Sequence, residues 1–169
     1  MLSIFETVNP WLIIVLFILL LLSAYFSSAE TAFSSCNIIR LKNYVEDGKK
    51  GAKKALYAAE RFEKTLSTIL VGNNVVNIAL TTISATILLG VFKNPTTANI
   101  INTLGVTFVV LIFGEIIPKS VAKESAEAIA LRYGSSMYFL NIVMTPLVLI
   151  FVPIKKLIRK LYVVENRPS

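Results

Sequence analysis

The sequence predicts an all-α membrane protein: three transmembrane helices, a cytoplasmic helical hairpin between the first two, and a C-terminal juxtamembrane belt helix. Three observations carry this. The 169 residues are 55% hydrophobic and their mean hydropathy is +0.71, too apolar for an ordinary soluble domain. The apolar residues gather in stretches close to the ~20 residues that cross a bilayer. The basic residues gather between those stretches. Of the 17 Lys and Arg, eight fall between Arg40 and Lys64, eight between Lys119 and Arg167, and only Lys93 lies elsewhere.

Span one runs from about Pro10 to Ser34, and Leu12 to Leu22 is unbroken apolar sequence. The segment before it carries Glu6 and no basic residue, so it lacks the positive region of a signal peptide. A retained helix with its N-terminus outside is expected. The Arg40–Lys64 segment reads as two short helices around Asp47-Gly-Lys-Lys-Gly51. Ala55, Leu56, Ala58, Ala59 and Phe62 give the second an apolar face, and its lysines suit anionic headgroups. Span two runs from about Leu66 to Phe92, and span three from Ile100 to Ile117. Lys93-Asn-Pro-Thr-Thr-Ala98 is the turn between them. The positive-inside rule then places the N-terminus outside and the C-terminus in the cytoplasm.

Tyr133 to Val152 is apolar enough for a fourth crossing. That crossing would carry Lys155, Lys156, Arg159 and Lys160 outside, and the stretch holds Asn141 and Pro146. A kinked helix at the cytoplasmic interface, a belt over about 133–160, is expected instead.

The charge of +7 flanks apolar spans and forms no aromatic-interleaved basic surface, so no nucleic-acid partner is expected. One cysteine and no histidine argue against a zinc or other soft-metal site. They also leave no convincing nucleophile–base pair, so no enzyme is expected. Serine, amide, carboxylate and backbone oxygen remain, and these suit hard cations.

The spans carry such oxygens where a bilayer penalises them. On span one, Ser23, Ser27, Glu30 and Ser34 share one helical face. Ala24, Ser28 and Ala32 form an adjacent stripe suited to close packing. Ser23 and Ser27 also have the option of bonding back to their own helix. On span two, Asn73 and Asn77 share a face within Gly72-Asn-Asn-Val-Val-Asn77, while Asn74 points elsewhere. On span three, Glu115 follows Gly114 and precedes Pro118. A carboxylate inside a membrane costs about 2.5 kcal/mol or more and is a functional hypothesis by default. Proline has no N–H to give the carbonyl four residues back. In a continuous α-helix that carbonyl is Gly114's. The competing expectation is that Glu115 sits near the headgroups and pairs with Lys119, one turn on. Glu30 is open: an ion pathway, a Na⁺ site, or a pair with a cap lysine. These oxygens suit Mg²⁺, Ca²⁺ or Na⁺, and elementary chemistry does not choose among them.

Ser23-Ala-Tyr-Phe-Ser-Ser-Ala-Glu-Thr-Ala32, Gly72-Asn-x-x-x-Asn77 and Phe113-Gly-Glu-Ile-Ile-Pro-Lys119, in this order, resemble the transmembrane domain of the CorC/cyclin M (CNNM) magnesium transporters. The resemblance covers nearly the whole chain. It implies a homodimer in the plasma (inner) membrane that exports Mg²⁺, exchanging it for Na⁺. It implies Ser23, Ser27, Asn73 and Glu115 as ligands, with Gly72, Asn77 and Gly114 as further contributors and Pro118 shaping the break. Family members continue into a cytoplasmic pair of CBS modules that bind ATP with Mg²⁺. Here the sequence ends at Glu165-Asn-Arg-Pro-Ser169 and carries no Gly-rich phosphate loop, so ATP is expected only through domains missing from this chain. A different function also fits the residues: a structural or Mg²⁺-sensing module whose polar groups hold helices together.

Overall fold

The computed structural model describes residues 9–165; Glu6 and the tail 166–169 lie outside the described residues. Every element among them is helical. Helix α1 spans Pro10–Ser35. The Asn9 side chain accepts from the Trp11 N–H at 3.1 Å and Pro10 takes the first position, where a missing N–H costs nothing. Two short helices follow, α2 (Ile38–Glu46) and α3 (Ala52–Glu60). Asn37 caps α2 through Oδ1, which accepts from Ile39 and Arg40. Gly48 and Gly51 have φ of 68° and 82°, a left-handed conformation that glycine tolerates without strain. They close the hairpin.

Helix α4 runs Phe62–Val91, starting four residues before the expected span. Arg61, outside helical geometry, separates it from α3. Helix α5 spans Pro95–Val109, so span three begins five residues earlier than expected. Asn94 caps it, accepting from Thr96 and Thr97, and Pro95 is its first residue. The connection to α4 is therefore Phe92–Asn94 alone. A π-helical turn, Val110–Ile116, carries the chain into α6, Ile117–Glu124. A single long helix, α7 (Ala126–Glu165), closes the described chain and runs through Pro146 and Pro153. The side chains of Lys155, Lys156, Arg159 and Lys160, on which the choice against a fourth crossing rests, lie outside the described ones.

Three helical stretches are long and apolar enough to cross a membrane among the described residues: Pro10–Ser35, Phe62–Val91 and Pro95–Glu124. The chain therefore belongs in a lipid bilayer. Its exposed apolar side chains, such as Trp11, Phe17, Leu104 and Phe108, face the acyl phase, which solvates them as well as protein would.

The core lies toward the lysine-rich end. Phe26, Ala29 and Phe33 of α1 meet Leu41, Ala55, Ala58, Ile69, Ala130 and Met137. The expected face of α3 is real: Ala55, Ala58 and Ala59 are buried, and Leu56 and Phe62 pack against the cluster. Two glycines let α3 and α7 touch. A Cβ on Gly134 would sit 2.7 Å from the Ala55 nitrogen. Asn141 of α7 donates through Nδ2 to Thr65 Oγ1 at 2.9 Å, and Thr65 donates to the Ala58 carbonyl at 2.8 Å. One buried chain thus ties α7, α4 and α3 together.

Candidate cation site between the three spans

Helices α1, α4 and the π turn converge on Ser23. Its side chain is fully buried. Its hydroxyl donates to Asn77 Oδ1 at 2.9 Å and lies 3.5 Å from Asn73 Oδ1. One hydroxyl proton therefore sits among three oxygens, an electron-rich cluster that a cation would suit. Span three comes against the same point. A Cβ on Gly114 would stand 2.9 Å from Ser23 Oγ, tighter than side chains normally pack, so glycine is what lets its backbone approach. Gly114 is buried.

Ser27, one turn along α1, is 1% exposed, and its hydroxyl has no hydrogen-bond partner among the described residues. The option of bonding back to its own helix is therefore not taken. The neighbours behave differently. Ser28 donates to the Ala24 carbonyl at 2.7 Å, Thr31 to the Ser27 backbone carbonyl at 3.3 Å, and Ser34 to the Thr31 backbone carbonyl at 3.0 Å. An unpaired buried hydroxyl costs about 1–3 kcal/mol, so a hydroxyl kept unpaired where its neighbours bond locally calls for a role.

Glu115 follows Gly114 and is half-buried. It makes no hydrogen bond or ion pair among the described residues. Lys119, its expected partner, is taken elsewhere: its Nζ lies 3.3 Å from Glu30 Oε2. The i,i+4 pair is not formed, and Glu30 finds its lysine on α6 rather than on the cap. Helix α6 packs along α1, and that contact brings Lys119 to Glu30 rather than to its neighbour one turn back.

The π turn bears on the expected free carbonyl. The Ile117 N–H bonds to the Ile112 carbonyl, five residues back, so the bonding just before Pro118 is not the uninterrupted α pattern on which that expectation rests. Pro118 still has no N–H to give the backbone that precedes it.

The other glycine behaves differently. A Cβ on Gly72 would run into the Phe26 ring, so Gly72 serves the packing of α4 on α1. The structure thus brings together Ser23, Asn73, Asn77 and Gly114, leaves Ser27 and Glu115 without partners among the described residues, and packs Gly72 against Phe26.

Two polar contacts have no counterpart in the sequence reading. Tyr25 and Ser136 share a hydrogen bond of 2.6 Å, and the Ser28 and Tyr133 hydroxyl oxygens lie 3.3 Å apart. Both attach α7 to the turn of α1 that bears Ser23 and Ser27. Asn102 of α5 is also buried and donates to the Thr81 carbonyl at 3.4 Å. Its amide in an apolar span is a signal of the kind that points to Asn73.

Residues 13–169 match the family described as the cyclin M transmembrane N-terminal domain. The chain belongs to this family. Among cyclin M relatives, a UPF0053 protein of Haemophilus influenzae is 41% identical over 143 residues, 85% of this chain and 32% of its own length. The UPF0053 inner membrane protein YfjD of Escherichia coli is 32% identical over 140 residues, 83% of this chain and 32% of its own. A chloroplastic DUF21 domain-containing protein of Arabidopsis thaliana is 32% identical over 136 residues, covering 79% and 20%. This cyclin M chain spans about a third of the length of the bacterial relatives.

Proposed function

We propose that this chain is the ion-translocating unit of a Mg²⁺ exporter coupled to Na⁺ entry, with Ser23, Ser27, Asn73, Asn77, Glu115 and backbone oxygen near Gly114 as ligands. The observation that carries the proposal is the Ser27 hydroxyl, buried without a partner one turn from the Ser23–Asn77 cluster. A Mg²⁺ ion takes six oxygens at ~2.0–2.1 Å, which puts adjacent ligands about 3 Å apart. The 2.9 Å between Ser23 Oγ and Asn77 Oδ1 therefore serves a hydrogen bond without the ion and an octahedral edge with it. The Asn73 oxygen, at 3.5 Å, closes by about half an ångström to do the same. Glu115, unpaired, supplies the negative charge that favours a divalent ion. Na⁺ as the counter-ion rests on the family resemblance.

The charge distribution orients the unit with its N-terminus outside and its lysine-rich cap in the cytoplasm. The inner membrane of a bacterium is the expected location, as it is for the Escherichia coli relative. A homodimer, and ATP-dependent regulation through CBS modules outside this chain, are implied by the resemblance.

A second reading has an observation of its own. Ser23 is already satisfied by Asn77, as in a module whose polar groups only hold helices together. Ser27→Ala separates the two. Deleting an unpaired buried hydroxyl should leave the metal-free melting temperature unchanged or higher. If Ser27 is a ligand, the rise in melting temperature with Mg²⁺ should largely vanish; a bound ion contributes about 2.7 kcal/mol at a hundredfold excess over its Kd. No Mg²⁺ response in the unsubstituted chain would sink the transport proposal and leave the structural one.

A further inference from the structure

Away from the candidate site, the α2–α3 hairpin meets α7 at two adjoining cavities of about 470 and 460 Å³. Both are lined by Lys50, Gly51 and Ser135. Arg132 lines one; Lys49, Lys53 and Lys54 line the other. Among the described residues no carboxylate lines either cavity. Glu46 and Asp47 lie on the same hairpin but outside both, and Glu127 is held by Arg40 at 3.6 Å. Lys50, Lys53 and Arg132 have no ion pair among the described residues. Lys49 rests over the Tyr44 ring at 3.7 Å and Lys54 near Tyr138 at 5.6 Å.

The platform beneath these cations is close-packed. A Cβ on Gly51 would lie 2.5 Å from the Leu131 carbonyl oxygen, and one on Gly134 would lie 2.9 Å from the Gly51 carbonyl oxygen. The hairpin backbone is therefore seated on α7, and the lysine side chains project from a fixed base rather than a loose loop.

The outer face of α7 says what the cations meet. Arg132, Ser135, Phe139, Ile142, Pro146 and Ile150 recur at steps of three and four, one helical face, and all are exposed. The face is cationic and polar at Arg132 and Ser135, then apolar: Phe139 is 64% exposed and Ile150 62%. A charged cavity continued by an uncovered apolar stripe matches an anionic headgroup with its acyl chain. A free phosphate would use only the first part.

We propose that the Lys49–Lys54 hairpin and Arg132 form a binding site for the phosphate of an anionic phospholipid, whose chain lies along the Phe139–Ile150 face of α7. The site fixes the hairpin and α7 to the bilayer surface at a defined point. It does not depend on the ion that the three spans carry.

The test is retention of lipid by the purified chain, counted by native mass spectrometry, with phosphatidylglycerol and phosphatidylcholine offered together. Selective retention of phosphatidylglycerol is expected. Lys50→Gln with Arg132→Gln should weaken it about 25-fold, roughly fivefold for each cation removed, without altering the melting temperature in phosphatidylcholine alone. Lys93→Gln, on the far turn, should change nothing. Phe139→Ser should weaken phosphatidylglycerol retention but leave binding of soluble glycerol phosphate unchanged. Equal retention of the two lipids, or undiminished retention by the double variant, overturns the proposal. Glycerol phosphate binding as tightly as phosphatidylglycerol overturns the lipid assignment. None of these outcomes depends on Mg²⁺ transport.

Discussion

The two halves of the candidate site differ in how far their polar groups are satisfied. Where α1 meets α4, Ser23 and Asn77 bond to each other at 2.9 Å, and the packing around them is close enough that Gly72 has no room for a Cβ. Where span three enters, regular hydrogen bonding gives way to a π turn, and Glu115, next in the chain to Gly114, has no partner among the described residues. The first half is a closed, self-consistent contact. The second is unfinished, with a half-buried carboxylate that has no partner among the described residues. The proposed cation site would account for that imbalance.

Glu115→Gln breaks the comparison most severely. It should lower Mg²⁺ efflux from liposomes about a hundredfold, the upper end for losing a contact with a charged group, while the metal-free melting temperature holds. Normal efflux would return Glu115 to the status of an interface residue. Gly72→Val attacks the closed half. Its side chain meets the Phe26 ring, and overpacking of this kind costs about 1–3 kcal/mol. A lowered melting temperature with an intact Mg²⁺ response in the folded fraction is expected.

Pro118→Ala probes the unfinished half without touching a side-chain ligand. A returned N–H can bond the carbonyl that proline leaves free. Mg²⁺ affinity measured by calorimetry should fall about tenfold, or ~1.4 kcal/mol, a typical net value for one hydrogen bond. Helicity should stay the same or rise. Lys119→Gln should do least. Its pair with Glu30 is part-exposed, and such pairs contribute below about 1 kcal/mol. A transport loss as deep as that of Glu115→Gln would mean that Glu30 or Lys119 belongs to the ion path.

Much of the site is legible in sequence because a bilayer makes polar residues costly. Ser23, Asn73, Asn77 and Glu115 stand out against apolar runs, and the four-residue spacings put the serines and the amides on shared faces. The Ala55–Ala59 face of α3 is legible from its period for the same reason. The start of span three is not. Lys93–Ala98 reads as a turn, although Asn94 and Pro95 are a helix cap and a first residue, whose composition is also that of turns. Gly72 groups by sequence with its amide neighbours, and only its position under Phe26 separates it from them.

By itself, the sequence determined which segments enter a membrane, which oxygens they carry and which proline lacks a donor, because composition and local period decide these. It did not determine the partners. That Lys119 goes to Glu30 and not Glu115, that Ser27 stays unpaired among the described residues while Ser28 bonds back, and that a π turn precedes Pro118 all depend on tertiary structure. One extra residue in the π turn shifts the phase of every later position by about 100°. Residue spacing assumes a constant phase, so no count along the chain reveals the shift. The bond from the Ile117 N–H to the Ile112 carbonyl shows where it occurs.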